Sequence, residues 1–456
     1  MSDIGAVFSA KRSEIGLPRV QALARELRIV QKDGKKYGFG PGGVIQCCRE
    51  VADRVELPRQ FALWEGLAEG ATDATVEGAP AAIRFTQTLR PEQGPLIAEF
   101  LERLRAPRNR YGGIFSAPCG VGKTIMSLKM LAEIGRPAII LVHTGALMKQ
   151  WQEAIAKFTD LPPEQVGMIQ QDTCEWEGRQ IVVAMVESLV SNRTYPPEMF
   201  RRFGVVVLDE VHRHAAEVWG QAAQMFPARL RIGLSATPRR ADGLWNIIRW
   251  HVGEVLVKAK GQGGAKVFMV PTGVALPEVV WQGYHGAEVN LARLINALAA
   301  HPKRNDLIVD ELVKAMKRGR RVLVLTDRLE HIRTLSAMFE LLWDGEEPVR
   351  IGQYVGGMSG EDIERSRKCG LVFGTYQYAK EGLDDPSLDT LFLATPKSDV
   401  EQPIGRILRT EEGKKEPVVV DFVDEGTPPC VGFAQKRRWQ YRRLEFEVKD
   451  LTPAQA

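Results

Sequence analysis

The chain has 456 residues, 44% hydrophobic and 26% charged, enough for about three folded units with ordinary cores. A net charge of +4 is too small to hold a protein to nucleic acid by charge alone. No stretch approaches the roughly 20 uninterrupted apolar residues of a membrane span, and no cysteine pair has the C-x-x-C spacing of a zinc site.

The opening Met1-Ser2-Asp3-Ile4-Gly5 lacks the charged and then apolar run of a secretory leader, so a cytoplasmic location is expected. Residues 1–80 then read as a small α+β module. Its short apolar runs, Leu27-Arg28-Ile29-Val30 and Val44-Ile45-Gln46-Cys47, are punctuated by glycine-rich turns, and Glu69–Ala82 reads as a linker. Over 81–258 the pattern becomes apolar strands alternating with amphipathic helices. The runs 138–142, 181–184, 204–208 and 231–234 are continuous and apolar, as buried parallel strands are. Lys260-Gly261-Gln262-Gly263-Gly264 reads as a hinge. The alternation resumes over 265–432, with runs at 321–325, 371–374, 390–393 and 417–421. The expected fold is α/β: two RecA-like, doubly wound parallel-sheet lobes after the small module. Residues 433–456 form a basic, aromatic tail. Its Lys436, Arg437, Arg438, Trp439, Tyr441, Arg442 and Arg443 fit either a helix with a solvated face or a phosphate-contacting patch.

Four strings carry chemistry. Ala117-Pro118-Cys119-Gly120-Val121-Gly122-Lys123-Thr124 lies between a strand and a helix, the setting of a phosphate cradle. There Gly120, Val121 and Gly122 bring backbone amides to phosphate oxygens, Lys123 reaches the β- and γ-phosphates of ATP, and the Thr124 hydroxyl binds Mg²⁺. The run 205–208 delivers Asp209 and Glu210 to the carboxyl end of a strand, where open α/β sheets bind ligands. Asp209 suits the metal and Glu210 suits the attacking water, with His212 as a polar coupling group. Arg406 and Arg409 stand three residues apart, on one side of a helix, and suit the γ-phosphate as arginine fingers. Gln93, ahead of the cradle, has an amide able to pair with an adenine edge.

At these residues the chain resembles superfamily-2 helicases from about Phe85 to Val423. Residues 117–124 are similar to motif I, Asp209-Glu210-Val211-His212 to motif II, Ser235-Ala236-Thr237 to motif III, and Gln402-Pro403-Ile404-Gly405-Arg406-Ile407-Leu408-Arg409 to motif VI. His143-Thr144 with Gln150-Trp151 resembles motif Ia, Leu325-Thr326-Asp327-Arg328 motif IV, and Thr375 with Glu381-Gly382-Leu383-Asp384 motif V. His212 and Gln402 differ from the DEAD-box pattern, and the run 233–243 resembles the XPB and phage UvsW branch of DNA helicases. The resemblance implies that Thr144, Thr375 and Gly382 touch the nucleic-acid backbone. It further implies that Ser235 and Thr237 couple that contact to ATP, and that Gln402 belongs to the nucleotide site. It implies 3′-to-5′ movement on branched or recombining DNA, with RNA as another possible track. An ATP-switched clamp that separates no strands would use the same motifs.

Overall fold

The computed structural model describes all residues except 31–42, 108, 110, 119, 192, 212–215, 237–243, 261–263, 282–288, 346, 382–384, 409–412 and 452–456, together with the side chains of 216, 217, 281, 380, 381 and 406. The chain forms two compact units, Met1–Pro118 with Gly122–Ala259, and one built on Lys260–Ala456.

The first unit begins with a five-stranded sheet ordered Arg49–Val51, Arg54–Leu57, Phe8–Lys11, Asp3–Ile4, Thr72–Asp73. A separate hairpin pairs Arg28–Val30 with Val44–Gln46. This module shares one hydrophobic core with the larger sheet behind it: Phe61 and Ala62 belong to the same buried cluster as Ile247 and Ile248. Arg59, 1% exposed, gives its guanidinium to the carbonyls of Ala228 (2.8 Å) and Arg229 (3.2 Å). The stretch expected as a linker is tied down as well. Ala74 N donates to Ile4 O (2.8 Å), and Val76 exchanges hydrogen bonds with Pro227 and Arg229 (2.7 Å each). Backbone pairing, which side-chain composition does not announce, turns that stretch into a seam.

The larger sheet has eight strands: β1 (Gly112–Ser116), β2 (Ala138–Val142), β3 (Val166–Gln170), β4 (Thr173–Cys174), β5 (Ile181–Met185), β6 (Val205–Leu208), β7 (Leu230–Ser235) and β8 (Val255–Lys258). Across the sheet they run β4-β3-β5-β2-β6-β7-β1-β8, parallel except for β4. Helices α1 (Gln93–Arg105), α2 (Lys123–Ile134) and α3 (Gly145–Phe158) serve its upper edge. Every residue of β2 and β6 is buried, which explains their unbroken apolar runs.

The second unit holds a seven-stranded, wholly parallel sheet: β9 (Lys266–Pro271), β10 (Val322–Thr326), β11 (Ile351–Tyr354), β12 (Leu371–Thr375), β13 (Thr390–Leu393), β14 (Val418–Val423) and β15 (Glu447–Asp450). Their order is β11-β12-β10-β13-β14-β9-β15. Alternate residues of β10 face two different cores, Leu323 and Leu325 one, Val322 and Val324 the other. Helices α4 (Tyr376–Glu381), α5 (Glu401–Ile407) and α6 (Pro428–Arg443) follow the strand ends.

The residues expected as a tail from 433 divide between α6 and β15, so that boundary falls inside a helix. Within α6, Arg437 and Tyr441 point inward. Arg437 makes two bonds to the Asp421 carboxylate (2.8 and 2.7 Å), and Tyr441 Oη donates to it at 2.7 Å. Both residues therefore belong neither to a solvated face nor to a phosphate-contacting patch, because their bonds to Asp421 turn them into the core.

Candidate active site

The site grows from four neighbouring strand ends of the first unit. Asp209 N donates to Leu141 O (3.0 Å) and Val211 N to Leu234 O (3.1 Å), so the turn after β6 is clamped between β2 and β7. Ala117 N donates to Ser235 O (3.0 Å), which ties the root of the cradle to the end of β7. Ser235, expected as a coupling residue, is thus fully buried at the joint between cradle and motif III.

Beyond Ala117 the loop needs glycines. Gly120 and Gly122 have φ of +87° and +93°, the left-handed region that L side chains avoid. A Cβ on Gly122 would also stand 2.6 Å from the Gln93 amide nitrogen. Gly122 caps α2, which opens with Lys123 and then the half-buried Thr124. Gln93 opens α1, is 2% exposed, and accepts from Arg90 N at 3.0 Å. Its amide lies over the cradle glycine.

The pair expected to be catalytic sits beside this loop. Lys123 Nζ meets Glu210 Oε1 at 2.6 Å, with both side chains about nine-tenths buried. Glu210 has φ +52°, a left-handed conformation that costs a non-glycine residue about 1–2 kcal/mol. That twist after β6 lets consecutive carboxylates both serve one pocket. Asp209, 5% exposed, accepts from Trp151 Nε1 at 2.8 Å. Burial, and then the neighbouring Glu210 charge, push the Asp209 carboxyl up to about 6, against the pull of Lys123 and the Trp151 N–H. Among the described residues, Lys123 is the ammonium that meets this pair of carboxylates.

Trp151 has no assigned role in the sequence reading, although the motif Ia resemblance includes it. Its signal is its place on α3, with Met148, Ala154 and Ile155 on the buried face. A buried indole N–H needs an acceptor, and Asp209 is that acceptor.

The residues expected at the nucleic-acid backbone lie at strand ends, one in each sheet. Thr144 follows β2 and caps α3, its hydroxyl accepting from Leu147 N (3.2 Å). Thr375 ends β12, its hydroxyl accepting from Tyr378 N (3.3 Å) at the start of α4. A hydroxyl that accepts still has its own proton to donate. Gln402 is half-buried in α5, and Arg406 lies on the same helix. His212, Thr237, Gly382 and Arg409 lie outside the described residues.

The family described as type III restriction enzyme, res subunit, matches residues 86–240, the stretch holding the cradle and the carboxylate pair. A protein of Acanthamoeba polyphaga mimivirus, described as an ATP-dependent RNA helicase, is 29% identical over 373 residues, spanning 80% of this chain and 70% of its own. A protein of Escherichia phage T5, described as a helicase, is 24% identical over 359 residues, spanning 75% and 74%. Among solved structures, the ATP-dependent type ISP restriction-modification enzyme LlaBIII bound to DNA is similar in fold. It aligns with TM-score 0.55 and 17% identity over 82% of this chain and 32% of that one. The chain is thus similar to proteins described as helicases over three quarters or more of its length, and it is an ATP hydrolase.

Proposed function

We propose that this protein is a helicase and a DNA motor, hydrolysing ATP to translocate 3′ to 5′ and to unwind or remodel branched DNA. The observation that carries the ATP chemistry is the buried Lys123–Glu210 pair beside Asp209, at the root of a glycine cradle. The DNA assignment is supported by the motif sequences: Gln402 opens motif VI, and the run 233–243 is similar to the XPB and UvsW branch.

The donor set fits Mg²⁺. Thr124 and Asp209 offer hard oxygens, and burial with the adjacent Glu210 charge leaves the Asp209 carboxylate favoured by a nearby cation. A magnesium ion there would supply positive charge to the phosphates. The other roles fall to the chain itself. Lys123 is bound to Glu210, and phosphate oxygens would compete for the same ammonium. As Lys123 turns to phosphate, Glu210 becomes available to orient a water and accept its proton. Trp151 holds Asp209 in one orientation meanwhile. Arg406 and Arg409 are proposed to add positive charge at the γ-phosphate, and Gln93 to read the base.

On the nucleic acid, Thr144 and Thr375 are proposed to donate their hydroxyl protons to phosphate oxygens. Contacts of this kind carry no sequence information and weaken with salt. RNA as the track is the second reading, favoured by the description of the mimivirus relative. The test is ATP hydrolysis without nucleic acid and with single-stranded, duplex and branched DNA and RNA, with Glu210→Gln as control. Stimulation greatest on branched DNA supports the proposal. Stimulation by RNA alone favours the second reading, and indifference to every nucleic acid overturns both.

A further inference from the structure

Helix α6 divides the basic, aromatic run of the sequence into two halves. Arg437 and Tyr441 are spent on the buried Asp421, and Arg438 pairs with Asp450. The other half faces out: Lys436, Trp439, Arg442 and Arg443 follow one another at helical spacing and are all exposed. Trp439 is 55% exposed, and it is the one large hydrophobic side chain of α6 left in solvent. The Arg443 guanidinium stands 4.9 Å from its ring centroid and also reaches Glu401. Among the described residues, Lys436 and Arg442 have no carboxylate within ion-pair distance, although Asp450 feels the charge of Arg442.

We infer that this face of α6 is a second contact for single-stranded nucleic acid, with a base stacked on Trp439 and phosphates on Lys436 and Arg442. The inference rests on the nucleic-acid motor reading above. Charge and shape select the occupant. An open indole stiffened by a guanidinium is a stacking platform that tolerates any base, and flanking cations suit a phosphate chain. A lipid surface or a protein groove would need a broader apolar patch than one ring.

The helix is also wired to the chemistry of its own lobe. Gln440 holds Val400 N (3.1 Å) and Ser398 O (2.9 Å), immediately before α5 with its Gln402 and Arg406. Arg437 donates to Lys397 O (2.6 Å), and the Lys397 ammonium stands 5.4 Å from the ring centroid of Tyr376, the residue after Thr375. A strand bound on α6 would therefore pull on the segment that leads into motif VI.

The test uses the full chain without nucleotide, titrated into fluorescent oligo-dT and oligo-U by anisotropy at several salt concentrations. Trp439→Ala is expected to weaken both about fivefold or more, because stacking ignores the sugar, while Trp439→Phe restores most of the affinity. Lys436→Glu with Arg442→Glu is expected to flatten the log–log salt slope by about 1.4, at about 0.7 per phosphate contact. ATP hydrolysis without nucleic acid stays at the wild-type rate in all three. If wild type binds the oligonucleotides and is stimulated by nucleic acid while the variants bind equally well, the α6 inference is overturned and the motor reading stands. If Trp439→Phe is as weak as Trp439→Ala, or unstimulated hydrolysis falls with binding, the role is structural and the inference is again overturned. A wild-type protein that neither binds nor responds to any nucleic acid removes the motor reading itself.

Discussion

Both lobes place buried carboxylates in or just after a parallel strand, and they treat them in opposite ways. In the second lobe Asp421 receives two bonds from Arg437 and one from Tyr441, while Asp424 receives Arg304 at 2.8 and 3.3 Å and Thr272 at 2.8 Å. The oxygens of these acids are filled by fixed donors, and the partners are as buried as the acids. In the first lobe Lys123 bonds Glu210 and Trp151 bonds Asp209, yet burial and the adjacent Glu210 charge still push Asp209 up to about 6. A charge with a full set of protein partners is architecture. A carboxyl whose ionisation its surroundings still oppose is suited to take a cation or a proton, at a cost in stability.

The largest expected effect lies in the first lobe, at the perturbed pair. Glu210→Gln keeps the shape and removes the proton acceptor, so kcat for ATP should fall by about 10²–10⁴-fold. Binding of a fluorescent ATP analogue, measured by titration, should survive. If turnover stays within a few-fold of wild type, Glu210 is not the base.

On the fully partnered side the effect is on folding. Asp421→Asn leaves Arg437 buried beside a side chain with one oxygen and no charge, and should cost about 3–5 kcal/mol. Calorimetry should show an earlier-melting second lobe, and guanidinium titration should show a lower midpoint. An unchanged melting profile would mean that Arg437 finds another acceptor, and that the contrast between the lobes is weaker than drawn.

Trp151→Phe probes the boundary between the two cases, because it removes one fixed donor from an acid that has few. Orienting donors of this sort typically carry about 10–100-fold in metal affinity. The Mg²⁺ concentration at half-maximal analogue binding should rise by that factor, with a smaller change in kcat once the metal saturates. Equal losses in both would point to collapse of α3.

How much of this was legible follows the same physics. The strands buried on both faces, such as β2, β6, β10 and β13, announce themselves as continuous apolar runs, because nothing polar survives there. The edge and near-edge strands do not. β3 alternates, and β15 is Glu447-Val448-Lys449-Asp450, a mostly charged run that pairs with β9 and packs only Val448 on the core. In the site, the sequence brings Lys123, Asp209 and Glu210 into view as acids and a lysine after buried strands, and the structure places them together. Trp151 is not legible, since an indole on a helix face reads as core until the acid beside it is seen. The basic run at 436–443 is ambiguous for a related reason: its composition is uniform, and only the position of Asp421 sorts it into inward and outward halves.

The smallest effect is the most direct measure of the imbalance at Asp209. Its folded pKa is about 6 against an unfolded value of 3.8. Between those values the folded chain holds a proton that the unfolded chain has lost, so stability falls as pH rises through the window. Above about 6 both states are ionised and the full penalty remains, on the order of 1–3 kcal/mol. Asp209→Asn removes the charge and escapes the penalty. In the absence of metal and nucleotide, its stability advantage over wild type should be near zero at about pH 4, grow to about pH 6 and then level off. Subtracting the two pH–stability curves isolates this one residue from the other titrating groups. Saturating Mg²⁺ and ATP should erase or reverse the advantage, because the bound cation then gives wild type the partner it lacks. A difference curve that is flat with pH would mean that Lys123 and Trp151 already satisfy Asp209, and that the first lobe is no less balanced than the second.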